Sequence, residues 1–355
     1  MTQRMAFADI RKSSLTTLMM IRACMQGLNR GLASGLTSHG ISRVYLVNSS
    51  MAAITRHQVR LSDGVTISLS LHPHPAPLLP GLVILLHGRL HNSTRGPCSE
   101  LFPKISYSTL TYDARGMGES SGTTGWCNIE QEVDDLKEII SHIKSTFSPP
   151  LNQVIAIIGH SKGAAVAFRW ASLKELHKDI SQPHLYDQVD RPPLLISLSA
   201  RYDTSDVGLS RFNQEQQAKL ENDGKFVWLS YRAGRDFTER RDYVVTLEDV
   251  EKAKGVSLEC VKDLRENSQV VLFHGRADGT VAVHHSHKLD QQLRDTNPST
   301  SVDLVLVEGA KHNWDQDGEI EMLVEWIDTW IKRRAGRDST RIPADKIIDH
   351  LGPQR

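Results

Sequence analysis

Cysteine is scarce in this chain: Cys24, Cys98, Cys127 and Cys260 are all that 355 residues contain, and no two stand at metal-ligand spacing. That sparseness argues against a disulfide-stapled secreted scaffold and a cysteine-built metal site, and it fits thiols kept reduced inside a cell. Net charge is missing as well. The 42 basic side chains balance 42 acidic ones and both signs are dispersed, so the chain carries no basic footprint for nucleic acid. No run approaches the ~20 apolar residues that a membrane-spanning helix needs. No Pro/Ser/Gly linker divides the middle, which leaves one enzyme-sized core with additions as the economical reading.

Acid is nearly absent from residues 1–55, where Asp9 faces Arg4, Arg11, Lys12, Arg22, Arg30 and Arg43. At helical spacing Arg4, Arg11 and Arg22 share one stripe, while Phe7, Ile10, Ile21, Met25 and Leu28 share a neighbouring one. Two readings stand open: an organellar transit peptide, mitochondrial by its arginines, or a dispensable extension ahead of a second start at Met51. A secretory signal fits worse, because Arg22 interrupts the apolar core it would need. Residues 335–355 form a charged tail without a core pattern. The expected location is intracellular, cytoplasmic or mitochondrial.

From residue 56 apolar runs alternate with helical patterns. Val59 to Leu61 and Val65 to Leu71 flank the turn sequence Ser62-Asp63-Gly64 and predict an opening hairpin. Further strands are expected near Leu82 to Leu86, Ser108 to Tyr112, Val154 to Ile158, Leu194 to Leu198, Val270 to Phe273 and Val302 to Val307. Helices are expected near Ile129 to Thr146, Lys162 to Leu176, Val283 to Arg294 and Glu319 to Arg333. In the first of these, Ile129, Val133, Leu136, Ile139, Ile140 and Ile143 make one apolar stripe. Continuous apolar strands with intervening helices predict a mostly parallel sheet covered on both faces, an α/β fold. His284-His285-Ser286-His287 reads as a solvated helix N-terminus rather than a zinc site, since no carboxylate or cysteine pattern completes it. His72 and His74, between prolines at a strand end, are expected to face water.

The chemistry-bearing feature is Gly159-His160-Ser161-Lys162-Gly163, between the run Val154 to Ile158 and a helical stretch. A serine held where a strand turns sharply into a helix is thrust into the open, and Gly159 and Gly163 leave room for the close strand and helix. The Lys162 amide, at the helix N-terminus, is then free to donate to an oxyanion. Three more strands end in polar groups, which is where open α/β sheets place their sites. Leu82 to Leu86 leads into His87-Gly88-Arg89, whose Arg89 amide is a second oxyanion donor. Leu272-Phe273-His274-Gly275-Arg276-Ala277-Asp278 brings a carboxylate, and Leu304 to Glu308 leads to His312. Asp203, at the end of Leu194 to Leu198, is the weaker candidate acid, and Asp113 reads as a loop-fixing residue.

With these segments, LLHG at Leu85, YDARGMGESSG at Tyr112, GHSKG at Gly159, LSARYD at Leu198, HGRAD at His274 and VEGAKH at Val307, the chain resembles the α/β-hydrolase superfamily. Within it the wording is similar to the branch of serine esterases, acyl lipases and S33-type serine peptidases, and to feruloyl (cinnamoyl) esterase-like and plant and fungal esterase/lipase-like proteins. The resemblance implies an eight-stranded-type, mostly parallel sheet flanked by helices over residues 56–334, with a small cap insertion at about 201–268. It implies Ser161 as nucleophile, His312 as general base and then acid, Asp278 as the group that orients the imidazolium, and no metal or organic cofactor. Ala164 and Ala165 depart mildly from the second glycine common after such elbows; both remain small.

Between Ala200 and about Ser268 the alternation stops. Charged helical stretches, Glu215 to Asn222 and Leu247 to Lys254, accompany Phe212, Phe226, Trp228, Tyr231, Phe237 and Tyr243. These aromatics either form the insertion's own small core or line an acyl or aryl pocket. The function implied is hydrolysis of a small-molecule carboxylic ester through an acyl-enzyme. A serine peptidase, an acyl-thioesterase and a slow-turnover ligand sensor remain alternatives with the same residues. Arg89 is also placed to turn its guanidinium toward an acidic substrate. Oligomeric state is not legible.

Overall fold

The computed structural model describes residues 53–75, 77, 80–174, 192–204, 209–234 and 237–334. The expected N-terminal extension, apart from residues 53–55, and the charged tail lie outside the described residues.

The turn at Ser62-Asp63-Gly64 folds back on itself, with Gly64 at φ 87° and the Leu61 amide donating to the Val65 carbonyl, so β1 (Thr55–Arg60) and β2 (Thr66–His72) pair antiparallel. The apolar runs that follow become β3 (Leu82–Leu86), β4 (Ser108–Tyr112), β5 (Val154–His160) and β6 (Leu194–Leu198). After the inserted segment, β9 (Gln269–Gly275) and β10 (Ser301–Val307) complete one eight-stranded sheet in the order β1-β2-β4-β3-β5-β6-β9-β10. β2 joins β4 antiparallel and the remaining pairings are parallel. Every residue of β3, β4 and β6 is buried, as strands covered on both faces require.

Two apolar cores sandwich the sheet. One holds α2 (Ile129–Thr146), α3 (Lys162–Ala171) and α6 (His284–Thr296), and it buries the stripe Ile129, Val133, Leu136, Ile139, Ile140 and Ile143 foreseen from the sequence. The other packs the short α1 (Pro97–Leu101) and α7 (Glu319–Arg334) on the opposite face, through Leu101, Leu323, Ile327, Trp330 and Ile331. Parallel neighbours need such crossovers, and the right-handed crossover distributes helices to both faces.

The segment between β6 and β9 is less helical than expected. α4 (Gln214–Asp223) and α5 (Leu247–Lys254) coincide with the charged stretches, each opened by a capping box, from Asn213 and Thr246. Between them β7 (Lys225–Ala233) and β8 (Glu239–Thr246) form a separate antiparallel hairpin that the sequence did not announce. Its core gathers Phe212, Leu220, Phe226, Tyr243, Val245 and Val250 around Trp126, a residue of the loop before α2.

Two histidines correct the sequence expectation. His72 is buried, its ring 5.8 Å from that of Phe102, because β2 lies inside the sheet between β1 and β4. His285 is not on a solvated helix end; it is buried, and its Nε2 accepts from Arg201 Nη1 at 3.2 Å.

Candidate active site

Ser161 sits between β5 and α3 with φ 52° and ψ −114°, a left-handed conformation that a side-chain-bearing residue adopts only when its surroundings impose it. Here they do. The Ser161 amide donates to the Leu198 carbonyl of β6 at 2.8 Å, and the flanking glycines admit no side chain. A Cβ on Gly159 would lie 2.4 Å from Ala164 Cα, and one on Gly163 would lie 2.3 Å from the Leu86 carbonyl oxygen. The Ser161 side chain does not cap α3, so its hydroxyl is not spent on the helix. The Lys162 ammonium turns inward to Glu132 of α2 at 2.5 Å, both side chains buried. Lys162 therefore offers the site an amide at the start of a helix, where intrahelical partners are lacking.

His312, in the loop after β10, holds its Nδ1 2.8 Å from Asp278 Oδ2. A carboxylate accepts, so Nδ1 carries the proton and Nε2 is left to receive one. Asp278 is itself well supported: Oδ1 accepts from the Thr280 and Val281 amides, each at 2.8 Å, and His274 Nε2 lies 3.4 Å from Oδ2. Burial pushes the Asp278 pKa up, but the hydrogen bonds from His274, His312 and Val281 outweigh it and hold the carboxyl well below the usual range. Asp203, the weaker candidate acid, is engaged elsewhere, 3.0 Å from Lys288 Nζ. Asp113 fixes loops as expected, accepting from the Ser93 and Glu119 amides at 2.6 and 2.7 Å.

Three further histidines hold this arrangement together, and sequence reasoning assigned none of them a part. His274 Nε2 donates to the Val281 carbonyl at 2.8 Å while Nδ1 meets Ser286 Oγ at 2.6 Å, clamping the loop that carries Asp278. Buried His160 donates from Nε2 to the carbonyl of His312 at 2.8 Å and stacks on His91 with ring centroids 5.4 Å apart. Burial first, then the neighbouring imidazoles of His312 and His91, hold the His160 pKa well below its ordinary value. His87 donates to the Gly88 carbonyl at 2.8 Å and accepts from the Ala114 amide at 2.9 Å, bracing the turn that presents Arg89. All three lie in the quoted segments HGRAD, GHSKG and LLHG; position inside a motif was the available signal.

Ser161, His312, Arg89 and Trp228 line one cavity of about 260 Å³. A wider groove of about 1280 Å³ shares Arg89, Leu90, His91 and Asn313 with it and extends past Tyr231 and Phe237 of the insert. The insert aromatics thus divide, with Phe212, Phe226 and Tyr243 buried in its core and Trp228, Tyr231 and Phe237 facing space. Among the described residues, no group of three or more His, Cys, Asp or Glu is placed to hold a metal ion. No helix of the described residues is long and apolar enough to cross a membrane.

The sequence model of the family "Serine aminopeptidase, S33" matches residues 79–182, the stretch from β3 through the serine turn. The palmitoyl-protein thioesterase ABHD10, mitochondrial, of Homo sapiens is 24% identical over 258 residues, 72% of this chain and 74% of that protein. Among solved structures, Est1E from Butyrivibrio proteoclasticus, with ferulic acid bound, is similar at a TM-score of 0.54 and 18% identity, over 78% of this chain and 98% of that one. Alpha/beta hydrolase domain-containing protein 10 from mouse is similar at a TM-score of 0.50 and 17% identity, over 79% and 99%. The sheet order, the serine-bearing turn at the end of β5 and the likeness to these solved structures agree on one architecture: the chain has the α/β-hydrolase fold.

Proposed function

We propose that the protein is a serine hydrolase that cleaves carboxylic esters of small molecules through an acyl-enzyme. The observation that carries this reading is the 2.8 Å contact of His312 Nδ1 with buried Asp278, while His312 lines the same cavity as Ser161. Ser161 Oγ attacks the ester carbonyl as His312 Nε2 takes the hydroxyl proton, forming the C–O bond of a tetrahedral intermediate. The amides of Arg89 and Lys162 donate to its oxyanion, each supplying roughly 10²- to 10³-fold in rate. His312 returns the proton to the departing alcohol as that bond breaks. Water then attacks the acyl-Ser161 in the same way, releasing the acid and restoring the hydroxyl. Asp278 stays ionised throughout and stabilises the imidazolium.

In this reading residues 56–334 are the catalytic domain, and 201–268 is a cap whose aromatics Trp228, Tyr231 and Phe237 meet the substrate. Acyl-thioester cleavage is the second reading, favoured by the similarity to the human palmitoyl-protein thioesterase and requiring no different residue. The N-terminal residues 1–55 are proposed as a mitochondrial transit segment or a dispensable extension, and the protein as an intracellular one.

Hydrolysis of 4-nitrophenyl esters from acetate to palmitate, with a feruloyl ester and a palmitoyl thioester alongside, tests this. Ser161→Ala is expected to abolish turnover, by roughly 10³-fold or more, while circular dichroism stays native. An active Ser161→Ala enzyme would end the reading, and a marked preference for the thioester would replace ester by thioester cleavage.

A further inference from the structure

Among its described residues, the wall of the cavity around Ser161 carries cations. Arg89, Arg201 and Arg211 contribute to it, and no carboxylate is found among its described lining residues. Nearby described carboxylates are committed: Glu132 to Lys162, Asp203 to Lys288 and Asp278 to His312.

Arg89 is the informative member. Its guanidinium lies 4.0 Å over the Trp126 ring, and Nη2 donates to the Trp126 carbonyl at 2.9 Å. Its buried Nε has no hydrogen-bond partner, and among the described residues no carboxylate pairs with it. Arg211 lies 5.6 Å from the centroid of the same indole, so two cations share one ring. Arg201 is anchored by donation to the Thr280 carbonyl at 2.8 Å, beside the loop of Asp278. A buried N–H without an acceptor is costly, and a guanidinium held over an aromatic ring is oriented in advance. Its planar fork matches two oxygens of a carboxylate or phosphate, which a neutral acyl chain does not provide.

We propose that Arg89, with Arg201 and Arg211, forms a subsite for an anionic group of the substrate, a carboxylate or a phosphate, so that the protein selects charged over neutral esters. This specificity presupposes Ser161 as the nucleophile. A charge fixed there also orients the carbonyl against the serine, so part of the gain is expected in kcat. The wider groove that shares Arg89 gives a charged leaving group room as well as a charged acyl group.

The test uses the full chain and two matched pairs. Mono-4-nitrophenyl glutarate against 4-nitrophenyl pentanoate places a carboxylate on the acyl side. Butyryl-coenzyme A against the uncharged butyryl N-acetylcysteamine thioester places phosphates on the leaving side. In at least one pair, kcat/KM for the anionic member is expected to exceed the neutral one by about tenfold or more, as a charge-assisted hydrogen bond supplies, with the ratio falling as salt rises. Arg89→Gln and Arg211→Gln are expected to reduce that ratio and Arg89→Lys to keep most of it. Because the ratio is internal to each variant, a change in the Arg89 amide geometry, which lowers both members alike, does not imitate the effect. Ser161-dependent turnover with ratios at or below one in both pairs would overturn the subsite and leave the serine hydrolase standing. A high ratio unchanged in Arg89→Gln would overturn the part given to Arg89. No Ser161-dependent turnover of any member would sink the serine reading itself, and the subsite with it.

Discussion

Asp278 accepts hydrogen bonds from two backbone amides and one imidazole and lies 3.4 Å from a second imidazole, so its charge and its direction are set before any substrate arrives. Asp278→Asn keeps the shape but presents an amide to His312 Nδ1, which favours the wrong tautomer, and kcat is expected to fall by roughly 10⁴-fold. If Asp203→Asn proved the more damaging of the two, the acid would have been misassigned. The lowered pKa of Asp278 has a thermodynamic side. A carboxyl whose native pKa is depressed gives its full stabilisation above the unfolded value of about 3.9 and loses it as pH falls from there toward the native pKa. The Tm advantage of the wild type over Asp278→Asn should therefore be constant at neutral pH and shrink below pH about 4. An advantage that stayed flat into acid would show that ionised Asp278 contributes nothing. At this scale strand ends with polar residues were legible: Ser161, Asp278 and His312 could be named as candidates because each follows an apolar run. His285 and His72 were misread because burial of a single histidine depends on what packs over it.

The turn from β5 into α3 shows how elements hold one another. Gly163 lets α3 approach the end of β3, and Gly275 does the same for β9, since a Cβ there would stand 2.1 Å from the Ala310 carbonyl oxygen in the loop that leads to His312. α2 and α3 are tied by the buried pair Lys162 and Glu132, whose side chains are each 5% exposed. Removing one partner leaves an uncompensated buried charge, so Glu132→Gln is expected to cost about 3–5 kcal/mol in urea denaturation. Glu132→Gln combined with Lys162→Met should recover most of that loss, because neither ion then needs solvation. A double variant no better than the single one would count against an electrostatic cause. The strands and long helices were legible because a fully buried parallel strand reads as a continuous apolar run and α2 shows its stripe at helical spacing. β7 and β8 were not: Lys225, Arg232, Glu239, Arg240 and Asp242 interrupt their apolar residues, and only half of each strand is covered.

Across the molecule, the insert and the sheet meet at Trp126. This side chain, 1% exposed, comes from the loop before α2, yet its neighbours are Phe212, Phe226 and Trp228 of the insert, with ring centroids 5.1 Å from Phe212 and 4.7 Å from Trp228. Trp126→Ala is expected to cost about 3–5 kcal/mol, concentrated in the insert. Hydrogen exchange should then show β7 and β8 losing protection while β3, β5 and β6 keep theirs; equal loss throughout would mean that insert and sheet unfold as one unit. The sequence by itself determined the layered fold and the succession along the chain of the strands in its main sheet, because apolar periodicity and turn residues are local properties that each segment carries alone. It also determined which residues stand at strand ends, and so the candidates for chemistry. Only the tertiary structure decided that His160, His274 and His87 brace those candidates, that Trp126 belongs to the insert, and that Arg89 lies on it in the wall of the serine's cavity. Each of these depends on segments separated by tens of residues along the chain, and their contacts come into being only when the sheet has closed and its two faces are covered.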